Sequence, residues 1–202
     1  MSKPVRISDE RGVVDRILQG DKKSFSLIIK ATENLVAQIL FKMVRNEDDR
    51  KDLAQDVYLK AYNNLSGFKF ESKLSTWIAQ IAYNLSINYL NKRKPESIPD
   101  KFNDYNNDEE IISDLSVENK STYDQVEKKI YGEELKQILE KEIDKLSPVY
   151  KTLITLFHNE EMSYEEISIV TQLPEGTVKN YLFRARRILK NNLLKKYNSG
   201  DL

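Results

Sequence analysis

SYEEISIVTQLPEGTVKNYLFRARRILKNNL, running from Ser163 to Leu193, has the order of a short helix, a Pro-Gly turn and a longer helix rich in positive charge. Ser163 and Glu166 have the spacing of a capping box, which marks the start of the first helix, and Pro174 opens the second. Two helices across a tight turn fit a helix-turn-helix. Advancing about 100° per residue from Val178, the residues Leu182, Ala185, Leu189 and Leu193 return to within about 60° of one direction and form a core seam. Lys179, Asn180, Phe183, Arg184, Arg187 and Lys190 fall on the opposite face, with Thr177 at the helix start. From Gly176 to Lys196 there are seven Lys/Arg and no Asp/Glu. A solvated helix face gains from mixed signs at i,i+4, so an unrelieved positive face calls for an anionic partner. Lys179, Asn180 and Arg184 suit base edges in a major groove, Arg187 and Lys190 suit phosphates, and Phe183 suits a thymine methyl or a sugar. These features favour duplex DNA over the other reading, a helical hairpin with a solvated basic rim.

The chain of 202 residues has 40% hydrophobic and 32% charged residues with six Gly and five Pro, which points to a soluble, all-α protein. It has no Cys, so disulfides, thiolate nucleophiles and Cys-based zinc sites are excluded. His158 is the single His, so no two-His metal site can form within one chain. Glu160, Glu161, Glu165 and Glu166 beside it are explained by a turn and a helix cap. No Gly-rich phosphate-cradling loop is present, and neither a cofactor nor catalysis is expected. No apolar run approaches the roughly 20 residues that cross a bilayer, and MSKPVRISDERG at the N-terminus lacks a signal-peptide core. The expectation is a cytoplasmic protein without membrane insertion.

The formal net charge of zero conceals an uneven layout. Residues 1–94 carry 17 Lys/Arg against 11 Asp/Glu, residues 95–148 carry 7 against 15, and residues 149–202 carry 8 against 6. Two basic ends around an acidic middle suggest two modules that face polyanions, joined by a segment that does not. An acidic, solubilising linker would give the same charge layout.

Helical periodicity places one helix over Asp21 to Val44, with Asp21 as its cap and Phe25, Ile28, Ile29, Val36, Ile39, Leu40 and Met43 on its stripe. A second covers Asp48 to Leu65, with Leu53, Val57 and Ala61 inward. A third covers Lys73 to about Lys92, and a weaker one precedes them near Val13 to Gln19. These make residues 1–94 a helical bundle. Residues 95–122, acidic, rich in Asn and Ser and without period, read as a flexible linker. Residues 123–202 read as a four-helix domain that ends in the helix-turn-helix.

Within the bundle, Gln80, Asn84, Asn88 and Asn91 form a stripe of amides beside the apolar arc of the third helix. Asn is a poor helix former, and amides suit base edges in unpaired strands. The preceding loop supplies Phe68, Lys69, Phe70, Ser72 and Lys73, aromatic and basic types suited to stacking unpaired bases along a charged backbone. Trp77 reads first as core, with an edge able to touch a ligand. On the second helix Asp52, Gln55, Asp56 and Leu59 share an outer edge that composition alone reads as solvated surface.

DLAQDVYLKAY, then FKFESKLSTWIAQIAYNLSINYL, then LSPVYKTLITLFHNEEMSYEEISIVTQLPEGTVKNYLFRARRIL together resemble the sigma-70 family of bacterial transcription initiation factors, and within it the small extracytoplasmic-function group. The resemblance spans about Asp21 to Leu193. It implies that Leu53, Gln55, Asp56 and Leu59 dock on the clamp helices of the beta-prime subunit of core RNA polymerase. Ser72, Lys73 and their loop, with Asn84 beside them, match the pocket for a flipped −10 base. Lys179, Asn180, Phe183 and Arg184 match the −35 positions. Duplex DNA at −35, single-stranded DNA at −10 and an anti-sigma factor are the implied partners. Phe70 stands where the family often has a small residue, and Ala79 and Gln80 replace a frequent aromatic-basic pair. The rival reading is a conventional dimeric helix-turn-helix repressor or activator on a palindromic site.

Overall fold

The computed structural model of the chain describes residues 7, 9–93 and 127–199, with the side chains of 93, 127–135 and 196–199 left out. The expected linker, 95–122, lies outside the described residues. Among these the chain is all-α: α1 (Glu10–Leu18), α2 (Phe25–Met43), α3 (Glu47–Asn63), α4 (Leu74–Arg93), α5 (Glu127–Asp144), α6 (Pro148–His158), α7 (Tyr164–Thr171) and α8 (Glu175–Ser199).

Each start follows from local chemistry. Asp9 caps α1 by accepting from Gly12 N at 2.8 Å, satisfying one of the donors a helix start leaves free. A side chain at position 12 would collide with that carboxylate, since a Cβ there would lie 2.1 Å from the Asp9 oxygen. Asp21 does not cap the long helix directly: it caps a 3-10 turn, Lys22–Ser24, from which α2 departs. Its hydrogen bond from the Ser24 hydroxyl, 2.6 Å, is the main cause that holds its carboxyl below the ordinary value. Asn46 caps α3 through Asp49 N, two residues before the expected start at Asp48. Ser147 caps α6 with Pro148 in its first turn, and Ser163 and Glu166 form the expected reciprocal box on α7.

The N-terminal core joins Val13, Val14 and Ile17 of α1 to Ile28, Val36, Ile39 and Leu40 of α2, Val57 and Ala61 of α3, and Leu74, Ile78 and Ala82 of α4. Among the described residues, the span Lys22–Met43 alone has the length and apolarity to cross a bilayer. Its apolar stripe is instead buried against α3, α4 and α6, so it is a core helix. The C-terminal core is built as the periodicity requires: Val178, Leu182 and Ala185 are fully buried, Leu189 nearly so, and Leu193 is half-buried at the frayed end.

Two features differ from expectation. Gly176 lies inside α8, and the turn after α7 is made by Gln172, whose φ of 58° is left-handed. Any L-residue there crowds its own carbonyl, so nothing in its chemistry announced the turn. Secondly, the two helical regions are in contact: α4 packs along α7 and α2 along α6. Ala79 and Tyr83, on the side of α4 away from Ile78 and Ala82, are buried as a result.

Gln172→Gly removes the left-handed penalty at an exposed position and should raise stability by about 1 kcal/mol in a denaturant titration. A loss of stability would show that the Gln172 side chain holds the turn.

Candidate nucleic-acid interface

Lys179, Asn180, Phe183, Arg187 and Lys190 are exposed on one face of α8, with Phe183 42% accessible, while Thr177 and Arg184 are half-buried. The seam of Val178, Leu182 and Ala185 fixes this orientation, because it can be buried in only one rotation of the helix. Lys179 lies 3.5 Å from Glu175 and 5.4 Å above the Tyr164 ring, so its charge is partly relieved. Arg186 belongs elsewhere. Its guanidinium lies 5.0 Å from the Phe157 ring centre and its Nε donates to His158 Nε2 at 3.4 Å. Burial and the adjacent Arg186 charge hold the His158 imidazole below its ordinary pKa, which suits it as an acceptor.

The second surface is the loop before α4. Phe68 is buried, with ring centroids 4.7 Å from Phe70 and 5.2 Å from Trp77. Trp77 is half-buried against the core, as its first reading required, with an edge in a cleft of about 290 Å³. Gly67, Phe68, Lys69, Glu71, Ser72, Trp77 and Gln80 line that cleft. Aromatic surface beside hydroxyl, amide and ammonium groups can hold a planar base and bond its edge. Asn84 and Asn88 lie one and two turns further along α4 and do not line it.

α7 closes the cleft from the other side. Ile169 joins its lining, and the Ile169 carbonyl accepts from Gln80 Nε2 at 2.9 Å. Lys73 Nζ lies 2.7 Å from Glu166 Oε1, the carboxylate that also caps α7. Burial alone would raise the Glu166 carboxyl; Lys73 and the Ser163 backbone outweigh it and hold the carboxyl below the ordinary value. Elsewhere between the two regions, Gln38 donates to Glu160 and Lys42 Nζ lies 2.8 Å from Asp144. Burial raises the Glu160 carboxyl against that hydrogen bond. Beside α8, burial pushes the Tyr83 phenol up to about 12, with Tyr181 nearby adding to the shift.

On α3, Gln55, Asp56 and Leu59 are exposed, Leu59 to 60%, whereas Leu53 is half-buried against the core. Leu53 therefore belongs to the inner side, as helical phase required, and is separated from the exposed trio. Phe41, 56% exposed at the end of α2, lies 5.0 Å from the Arg50 guanidinium and 5.5 Å from the Lys42 ammonium. It falls off the apolar stripe of α2, a signal that marks an outward aromatic. Ile169 also lines the cleft, and Glu10 and Arg11 contact Leu74 and Phe70 beside it; no periodicity distinguishes any of the three.

Comparison with known proteins gives the family. Residues 28–96 match the family model for sigma-70 region 2, and residues 136–189 match the model for sigma-70 region 4. The ECF RNA polymerase sigma-E factor of Haemophilus influenzae is 33% identical over 190 residues, covering 91% of this chain and 95% of that protein. The ECF sigma factor SigW of Bacillus subtilis is 30% identical over 187 residues, covering 89% and 94%. The structure of the sigma factor RpoE in complex with the anti-sigma factor NepR from Bartonella quintana has a TM-score of 0.58 at 22% identity, covering 85% of this chain and 97% of that one, a likeness of fold. With both family models matched in that order along the chain and relatives of 30–33% identity over nearly its whole length, the chain belongs to the sigma-70 family, in its extracytoplasmic-function group, and is a sigma factor that directs RNA polymerase to promoters.

Proposed function

We propose that the α8 face reads the −35 element as duplex and that the Phe68–Gln80 surface captures unpaired −10 bases. The observation that carries this reading is the cleft at the α4 start, where Trp77, Phe68, Ser72, Lys69 and Gln80 surround a base-sized volume. Trapping an unstacked base there stabilises melted DNA without nucleotide hydrolysis, so the chain acts without catalysis of its own. Residues 1–94 supply melting and polymerase docking through Leu53, Gln55, Asp56 and Leu59, residues 95–122 link, and residues 123–202 read −35. Asn84 and Asn88 then contact DNA beyond the trapped base. The site of action is the cytoplasm. An anti-sigma factor, the partner named for the Bartonella neighbour, is the class of inhibitor assigned here.

Transcription from fragmented genomic DNA with cognate core polymerase, with and without the chain, tests the reading. New starts that share paired upstream elements at fixed spacing support it. A symmetric footprint by the chain alone, with no new starts, replaces it with the dimeric regulator. At −35, Lys190→Ala should weaken binding equally across sequences and lower the slope of log K against log salt by about 0.9. Asn180→Ala should cost about 1–3 kcal/mol and relax preference at one base pair.

Base capture requires α4 and α7 to part, because Lys73 and Gln80 are engaged by α7. Glu166→Gln keeps an acceptor for the α7 cap and removes the charge that faces Lys73. It should lengthen the distance between fluorophores placed on the two regions. An unchanged distance would mean that apolar packing alone holds them. Because the Glu166 pKa is depressed, its contribution is present above the ordinary carboxylate pKa and is lost as pH falls through the depressed one. The partly exposed pair itself is worth no more than about 1 kcal/mol, so acid should loosen the contact without abolishing it.

A further inference from the structure

We infer that Glu10 and Arg11, at the start of α1, are positioning residues for the base-capturing loop; the inference rests on the −10 reading of that loop above. The loop has little to hold it from within. Lys69, Glu71 and Lys73 are exposed, and the Ser72 hydroxyl reaches only the Lys73 carbonyl, at a long 3.4 Å. At its crest Phe70 takes a φ of 59°. A left-handed conformation costs an L-residue about 1–2 kcal/mol, and such a residue persists only where its surroundings over-determine it. A small residue, common in the family at this position, would meet the same geometry with less cost if it were Gly.

Arg11 supplies one of the surroundings. Its guanidinium lies 4.8 Å from the Phe70 ring centre, and the same ring packs on Phe68, which packs on Trp77. The aromatic wall of the cleft is thus continued outward to a cation on α1. Glu10 supplies the other. The residue before α4 is Lys73, whose side chain has no acceptor to offer the free N–H groups of the helix start. Glu10 Oε2 accepts from Leu74 N at 3.1 Å instead, a cap delivered across 64 positions of sequence. A carboxylate at a helix N-terminus is favoured by the peptide dipoles as well as by the hydrogen bond.

α1 can act as a brace because it is itself fixed. Asp9 caps it, and Val13, Val14 and Ile17 are buried in the core. Glu10 therefore fixes where α4 begins, and with it the directions of Lys73, Trp77 and Gln80. Arg11 fixes the crest. Neither side chain lines the cleft, so both act through the residues that do.

The test uses holoenzyme assembled from cognate core polymerase and the full chain, with two probes. One is a fork-junction DNA with an unpaired non-template −10 strand, and the other is a duplex that carries only the −35 element. Wild type is measured first; failure to prefer the fork overturns the loop reading itself, and this inference with it. Given that preference, Glu10→Ala should lower affinity for the fork about tenfold, the scale of one lost cap. Binding to the −35 duplex should not change. Glu10→Gln, whose amide oxygen can accept from the same N–H, should stay within about twofold of wild type on that scale. Arg11→Ala should weaken the fork alone. Asp9→Ala, which loosens α1 without touching the loop, reports the purely structural effect through its melting temperature. Undiminished fork binding by Glu10→Ala, equal loss in the Ala and Gln variants, or an equal loss in Asp9→Ala at matched melting temperature would each overturn the positioning role.

Discussion

The packing of α4 on two sides at once is the constraint on which the rest of the structure depends. Leu74, Ile78 and Ala82 are buried in the N-terminal core, while Ala79 and Tyr83 are buried with the C-terminal region alongside. A helix covered from two sides has little polar surface left to present. That explains why its amides are confined to one strip and why Gln80, on that strip, bonds a backbone carbonyl of α7. The same packing sets the cleft: Trp77 and Gln80 face it from α4, Phe68 floors it, and Ile169 closes it. One helix therefore stabilises a core, carries a candidate reading surface and forms the contact between regions.

Backbone strain is concentrated around that contact. Among the described residues the positive-φ non-glycines are Phe70, Glu161 and Gln172. The first crests the loop before α4, and the other two flank α7. Each is a position where glycine would cost less. At α7 the cost is offset by the Ser163–Glu166 box, the Lys73 ion pair and burial of Ile167 and Val170. At Phe70 it is offset by rings and a guanidinium. A short helix between two strained joints is an element from which a domain can separate at modest cost, since little regular structure has to be broken.

Much of this was legible in the sequence, for reasons that differ from place to place. The α8 seam follows from a 3.6-residue period, and its basic face from a run of charge with no acidic relief inside it. The Ser147-Pro148 start and the Ser163–Glu166 box follow from cap chemistry that is local in sequence. What escaped was non-local or chemically atypical. A cap on Leu74 from Glu10 spans 64 positions and has no sequence signature. Gln172 and Phe70 are not residue types that advertise a left-handed turn. Leu53 could be assigned both inward by phase and outward by family likeness, and its side chain is half-buried against the core. The contact between α4 and α7 could not be read at all, because Ala79 and Tyr83 look the same whether they face one neighbour or two.

The asymmetry of what is covered separates a promoter factor from a dimeric regulator on physical grounds. A dimeric reader needs its recognition helix exposed and a self-complementary surface; it has no use for an aromatic cleft between its two helical regions. In this chain the α8 face and the Gln55–Asp56–Leu59 edge are open, whereas the cleft is closed by the partner region. A protein that met polymerase and duplex first and unpaired DNA last would need just this distribution. On the proposed reading its docking surfaces are available in this arrangement, and base capture in the cleft requires α4 and α7 to part. The partly exposed Lys73–Glu166 pair contributes little to that contact, which rests mainly on packing of α4 against α7. If the proposed roles hold, polymerase docking would have to overcome that packing as well as the ion pair, which would couple capture of unpaired bases to assembly.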